Sequence, residues 1–559
     1  MSSSKKKQLR KEQYMTERQI ASAQEAKKLK RYTVTFWVVI ALVASIFVGA
    51  VAANPIKNVI YQNTDSITVG DHTLTSVEAN YFFIDAVNAF VNQYSSYINY
   101  TGLNTSKPLD EQITNKETGA TWADDFMDSA KENIKQTYAL YDAAVKANHK
   151  MTEDEEKTLD SQLSTMKIYA QIYGYSNLNS YLRAVYGNGS NEESYREYLR
   201  VSAVASSYYS AYSKSLEFSD KELEDFQIKA PYEYNSYTFA SYYLSYTKFL
   251  KDGEKDDKGN ITYSDEIKKA AREEAKKYAD QLAEGSYETL AKFDEAIKEL
   301  DKKITGSDKS TATSTKNEDV LYSKVNSSFR DWIIGKVEDQ DTKKDSSKDD
   351  DDVQYVERKE GDLTVIEYSS GSGDNKVING YYVLRYEGFT RNDFAMKNVR
   401  HILVMFQGGT KDSNGNTTYS ADEKKAAKKE AEQLLAQWKK GDKTAESFGE
   451  LANKESDDNN GKVTDGGLYK DVYPGQMVDA FEDWCYDDNR QVGDTGIIET
   501  EYGYHVVYFE GNSETTYRNY MITNALRSKT VTSWRNALVE AIKLNVLTDK
   551  HIKTDLVLS

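Results

Sequence analysis

The sequence predicts an α+β chain: one N-terminal transmembrane helix, a mainly helical lobe, and two copies of a mixed domain built from a small antiparallel sheet with surrounding helices. Three observations carry that reading. Residues 32–53 form an uncharged, largely apolar run, helix-start signals recur through residues 65–230, and three ordered segments of residues 233–390 return within residues 396–511. At 559 residues the chain is too long for one core, and 29% charged with 12% aromatic residues describes a folded polypeptide that is mostly in water. A formal net charge of −17 argues against a nucleic-acid partner, which needs a basic footprint. The single cysteine, Cys485, excludes an intramolecular disulfide framework and a cysteine-rich metal site, and no lipid-anchoring cysteine follows the apolar run.

Residues 1–31 carry ten Lys/Arg against three Asp/Glu. The run that follows, Tyr32 to Ala53, is long enough as a helix to cross about 30 Å of hydrocarbon. The basic flank on its N-terminal side alone predicts a cytoplasmic N-terminus, with the bulk of the chain outside the cytoplasm. The competing reading is a cleaved leader, because Ala50-Val-Ala52 resembles a cleavage site.

Ser66-Ile-Thr-Val-Gly-Asp-His-Thr-Leu74 reads as a small hairpin. Capping boxes are expected at Thr75 with Glu78, Thr152 with Glu155, Ser190 with Glu193 and Ser219 with Glu222. Leu159, Leu163, Met166, Ala170 and Tyr173 fall at helical spacing, which gives one apolar face. Many of the 43 tyrosines crowd this lobe and the start of the next domain, either as core or as an amphipathic cradle for unfolded chains.

The repeat is explicit. Ile261 to Ala275 reads against Thr417 to Ala431 at an offset of 156, Phe329-Arg-Asp-Trp332 answers Phe481-Glu-Asp-Trp484, and Gly380 to Gly388 answers Gly503 to Gly511. At the 156 offset Ser245 occupies the position of His401, and Tyr382 stands where His505 stands. The first copy also lacks the paired glycines Gly466-Gly467 and gains a Lys/Asp/Ser-rich insert, Asp341 to Asp352, read as a solvated loop. Residues 233–390 are therefore expected to be a degenerate, non-catalytic copy.

In the second copy the order Asn398-Val-Arg-His-Ile-Leu-Val404, Phe448-Gly-Glu-Leu-Ala452, Ser456-Asp-Asp458, Gly466-Gly467, Gly475-Gln-Met-Val-Asp-Ala-Phe481 and Thr500-Glu-Tyr-Gly-Tyr-His505 resembles the parvulin family of peptidyl-prolyl cis/trans isomerases. Hairpin, helices and then parvulin is an order similar to the extracytoplasmic foldases of the PrsA and SurA type, in which the helical lobe is the chaperone part. The resemblance implies a catalytic set of His401, Asp458, His505, Thr500 and Tyr502, and a proline-gripping set of Met477, Phe481, Tyr469 and Leu468. It implies no metal and no cofactor, and unfolded or nascent secreted polypeptides with X–Pro bonds as partners. It also implies that residues 512–559 return to the helical lobe. Leu468-Tyr-Lys470 departs from the family's acid-Leu-Gly, which puts Tyr469 where a pocket leucine is expected. The loop after Val404 has no basic cluster, so selectivity for phosphoserine-proline is not expected.

Overall fold

The computed structural model describes residues 55–558, apart from 256–257, 259, 338–353, 372–375, 414 and 462. The basic segment 1–31, the apolar run 32–53 and the acidic insert Asp341 to Asp352 thus lie outside the described residues. Among those described, no helix is long and apolar enough to cross a membrane. Nor does any group of three or more His, Cys, Asp or Glu among them suit a metal ion. The chain is α+β and divides into two compact bodies: residues 218–396 with 513–524, and a second comprising the chain up to 217, residues 397–512 and residues 525–559.

The helical lobe begins with α1 (Pro55–Gln62) and a hairpin of β1 (Asp65–Val69) and β2 (His72–Thr75). Thr75 then caps α2 (Ser76–Gln93) through a reciprocal box with Glu78, and α3 (Trp122–Lys146) starts the same way at Thr121 with Asp124. Thr152 and Glu155 box the start of α4 (Glu153–Ile172), whose Leu159, Leu163, Met166 and Ala170 are buried as the periodicity predicts. After α5 (Leu178–Tyr186), α6 (Glu192–Ser215) is capped by Asn191 instead of Ser190. The asparagine side chain reaches the backbone N–H groups of Glu193 and Ser194, so the box closes on Ser194 and the expected Ser190–Glu193 pair does not form. Asparagine is at least as good a cap as serine, and one residue of phase decides which side chain meets the free amides.

In the body of residues 218–396, α7 (Asp220–Lys229) is boxed by Ser219 and Glu222. A four-stranded sheet follows, built from β3 (Asn235–Ser245), β4 (Thr315–Leu321), β5 (Leu363–Ser370) and β6 (Val377–Arg391) in the order β4-β3-β6-β5. The helices α8 (Asp265–Ala283) and α9 (Leu290–Thr305) cover one face and α10 (Ser327–Ile333) the other.

Residues 395–516 repeat this plan with β7 (Ala395–Met405), β8 (Leu468–Val472), β9 (Thr495–Glu499) and β10 (Gly503–Thr516) in the order β8-β7-β10-β9. Between strands lie α11 (Ala421–Lys439), α12 (Ala445–Glu455), the single turn α13 (Asp458–Gly461) and α14 (Asp479–Cys485). The two sheets correct the strand alignment. A Cβ on Gly380 would meet the Leu244 carbonyl oxygen at 2.4 Å, and one on Gly503 would meet that of Val404 at 2.1 Å. Leu244 therefore answers Val404, 160 residues on (404 against 244), and Ser241, not Ser245, stands at the place of His401. The offset returns to 156 after the strand (417 against 261), because the intervening loop is four residues longer in the first copy. Loops absorb insertions that a paired strand cannot.

The chain ends with α15 (Tyr517–Ala541) and β11 (Leu544–Val546). The last strand pairs antiparallel with β1, and Ile552, Leu556 and Leu558 join the core of the helical lobe. On α15 the Trp534 ring stacks on Tyr212 at 3.9 Å between centroids and meets Tyr208 edge-on.

Candidate active site

Strand alternation decides which side chains of β7 and β10 meet. Ile402, Val404, Phe406, Tyr504, Val506 and Tyr508 pack with α11 and α12 on one face of the sheet. The intervening residues face the other way, toward a second core containing Val399, Tyr469, Phe481, Val507 and Phe509. His401 and His505 are therefore delivered to the same face, and both are fully buried.

There they join a continuous polar chain. Thr500 Oγ1 lies 3.0 Å from His505 Nε2, His505 Nδ1 lies 3.1 Å from His401 Nδ1, and His401 Nε2 lies 3.0 Å from Asp458 Oδ2. The Tyr469 hydroxyl donates to the same Asp458 oxygen at 3.2 Å. Burial, with the nearby His401 adding to it, holds His505 well below the usual histidine range, against a smaller opposite pull from Asp458. His505 is thus neutral, with one ring nitrogen donating and one accepting. The Asp458 carboxylate accepts from His401 Nε2 and from the Tyr469 hydroxyl, and Thr500 Oγ1 also lies within reach of the Gly503 carbonyl oxygen.

An apolar wall stands beside it. Phe481 is fully buried and meets His401 and His505 edge-on, at 5.9 and 5.6 Å between centroids. Met477 is half-buried and packs on the same cluster. Met477 lies in the turn before α14, which starts after its cap residue Val478 and carries Phe481. Leu468 is half-buried on β8, paired through its backbone with Arg400. Tyr502 contributes backbone: its N–H donates to Thr500 Oγ1 at 3.2 Å and its carbonyl accepts from Phe406. Cys485 is buried at the end of α14, with its thiol pushed up to about 12 by burial, which suits packing and not reactivity.

The family-model comparison falls on this part of the chain. Residues 381–512 match the family model of the PPIC-type PPIASE domain. Residues 395–512, the second copy within that match, carry a parvulin-type isomerase domain. Two curated relatives, both named foldase protein PrsA and from two strains of Staphylococcus epidermidis, are 32% identical over 112 residues, covering 20% of this chain and 31% of each relative. The chain thus spans about a third of the length of the curated relatives it matches. Solved structures of peptidylprolyl isomerase PrsA from Bacillus anthracis and Bacillus cereus are 20% and 23% identical, covering 27% and 29% of this chain and 59% and 56% of those chains. Their TM-scores, 0.16 in both cases, carry no argument about how the whole chain is arranged.

Within the parvulin domain, the expected catalytic and proline-gripping sets leave out several residues that hold the site. Ser456 Oγ accepts from the backbone N–H groups of Leu403 and Asp458, and Asp457 Oδ2 accepts from Met405 N–H at 3.0 Å. These two residues pin the Asp458 turn to the edge of β7. The paired glycines have an equally specific task. His401 N–H donates to Gly467 O at 2.9 Å, and a Cβ on Gly467 (φ +63) would lie 2.2 Å from the His401 carbonyl oxygen. Arg400 pairs with Glu510 and donates to the carbonyls of Asp465 and Gly466. The signal was present in the Ser-Asp-Asp triplet and in Gly-Gly; its meaning depends on which strand edge those residues meet.

Proposed function

We propose that this chain is a membrane-anchored, extracytoplasmic peptidyl-prolyl cis/trans isomerase and foldase that acts on X–Pro bonds of secreted polypeptides. The observation that carries this is the closed chain Thr500–His505–His401–Asp458, set against Phe481 and Met477 within a parvulin domain. Isomerisation breaks no covalent bond. It lowers a rotation barrier of about 18–20 kcal/mol that otherwise holds X–Pro bonds for tens to hundreds of seconds. The twisted amide has lost resonance and is less dipolar than the planar one. A site that grips the proline ring on an apolar wall and offers fixed hydrogen-bonding groups to the twisted form binds it better than either planar isomer. His401 and His505 act here as fixed members of that array and transfer no proton. No metal or cofactor has a part in this chemistry. The apolar run 32–53 behind a basic segment supports the anchor, and the PrsA name of the relatives supports polypeptide clients.

Exchange NMR on an Ala-Pro peptide, with the full chain in detergent micelles, tests the reading. His401→Ala, His505→Ala and Met477→Ala should each lower kcat/KM by about tenfold or more, roughly the loss of one buried hydrogen bond or apolar contact. A wild-type chain that does not speed exchange would sink the enzymatic reading.

A holdase reading has an observation of its own. In the body of residues 218–396, the sheet face that answers the site carries Ser241, Tyr243 and Tyr382, with Tyr368 beside them and no histidine. We read this as a degenerate copy that holds chains without isomerising them. Aggregation suppression by a chain lacking residues 396–511 tests that role separately.

A further inference from the structure

We infer that Tyr469 is a positioning residue of the isomerase site, which makes the polar chain one member longer than Thr500, the two histidines and Asp458. The inference rests on the isomerase reading and concerns how its site is held. Tyr469 occupies the place where a pocket leucine is expected, yet its side chain does not stand in an open groove. It is only 6% exposed, and β8 turns it inward beside Val399, diagonal to His401 on the next strand. From there it makes two contacts with different chemistry. Its ring stacks on the His401 imidazole at 4.5 Å and 26°, and its hydroxyl donates to Asp458 Oδ2, the oxygen that also accepts from His401 Nε2.

The three groups form a closed triangle: ring on imidazole, imidazole on carboxylate, carboxylate on phenol. Each pair fixes the third. The stack sets the tilt of His401, and the two donors on one oxygen set the rotation of the Asp458 carboxylate. Two donors converging on one oxygen narrow the orientations open to a buried carboxylate. A phenylalanine would keep the stack and lose the second donor. A leucine would lose both and return the local chemistry of the family motif. Tyr469 is therefore more than an aromatic filler beside Phe481, from which it stands 6.2 Å away at a steep angle.

The test uses the full chain in detergent micelles, an Ala-Pro peptide, and two readouts. Exchange NMR gives kcat and KM for wild type, Tyr469→Phe and Tyr469→Leu, and spectra of histidine-labelled protein follow the His401 Nε2–H signal without any need for activity. Tyr469→Phe should lower kcat about tenfold, the scale of one buried hydrogen bond to a charged group, with KM within about twofold and the His401 signal displaced. Tyr469→Leu should displace the signal further. If Tyr469→Phe leaves both kcat and the imidazole signal as in wild type, Tyr469 is core packing and the inference is overturned. If the wild type shows no isomerisation at all, the isomerase reading fails, and the imidazole signal alone decides: its displacement in Tyr469→Phe upholds the triangle, and its constancy removes it.

Discussion

At the scale of single residues, two buried titratable groups pull stability in opposite directions with pH. His505 is held neutral by burial, with a folded pKa well below 6.5. The unfolded chain takes up a proton that the folded site refuses, so stability is lost as pH falls through 6.5, by up to about 1.4 kcal/mol per pH unit. His505→Gln cannot titrate and should lose that acid slope, which urea unfolding at pH 5, 6 and 7 against wild type will read. Asp85 on α2 behaves the other way. It accepts from the Tyr198 hydroxyl, its Oδ1 is sealed from solvent with no hydrogen-bond partner among the described residues, and burial pushes its carboxyl up to about 6. The fold favours the protonated form, so stability is lost as pH rises from about 4 to 6. Asp85→Asn keeps an acceptor for Tyr198 and should stabilise the chain at pH 7 by on the order of 2 kcal/mol. A variant no more stable than wild type at pH 7 would show the carboxylate is adequately solvated.

At the scale of elements, backbone geometry helps to fix the site. Gly467→Ala places a methyl 2.2 Å from the His401 carbonyl oxygen in a left-handed conformation. It should cost more than about 2 kcal/mol and slow isomerisation in the surviving folded fraction; unchanged melting and rates would mean β7 and the glycine pair shift apart freely. Helix starts obey local rules more simply. Thr152→Ala removes the α4 cap and its box with Glu155 and should cost about 1 kcal/mol by thermal unfolding. Three of four boxes were legible as sequence because the partners are three residues apart. The fourth moved from Ser190 to Asn191, since which of two adjacent caps is used depends on the phase of the helix they begin.

At the scale of the whole molecule, the helical lobe depends on the far end of the chain. β11 supplies the third strand beside β1, and Ile552, Leu556 and Leu558 are buried with residues that lie more than 300 positions earlier in sequence. Asn80 ties the two together, accepting from Lys553 N–H and donating to His551 O. Truncation after Ala541 should therefore broaden the unfolding transition of the lobe and raise its protease sensitivity. Intact cooperativity in the truncated chain would show that the N-terminal helices suffice.

The sequence alone determined the mixed helix and sheet class, most helix starts, the existence of a repeat, and the residues His401, Asp458, Thr500 and His505 that the structure brings into one chain of hydrogen bonds. The class, the helix starts and the repeat rest on signals that are local or that recur in order, and the site residues on the resemblance to the parvulin motifs. Tertiary structure alone decided the rest. Ser241 replaced Ser245 as the counterpart of His401, because a loop insertion shifts an alignment that strand pairing restores. Ser456, Asp457 and Gly467 became the supports of the site, and Tyr469 passed from pocket wall to hydrogen-bond donor. The reason is the same in each case: strand register and the angle of a side chain across a sheet are set by partners distant in sequence, and no local pattern encodes them.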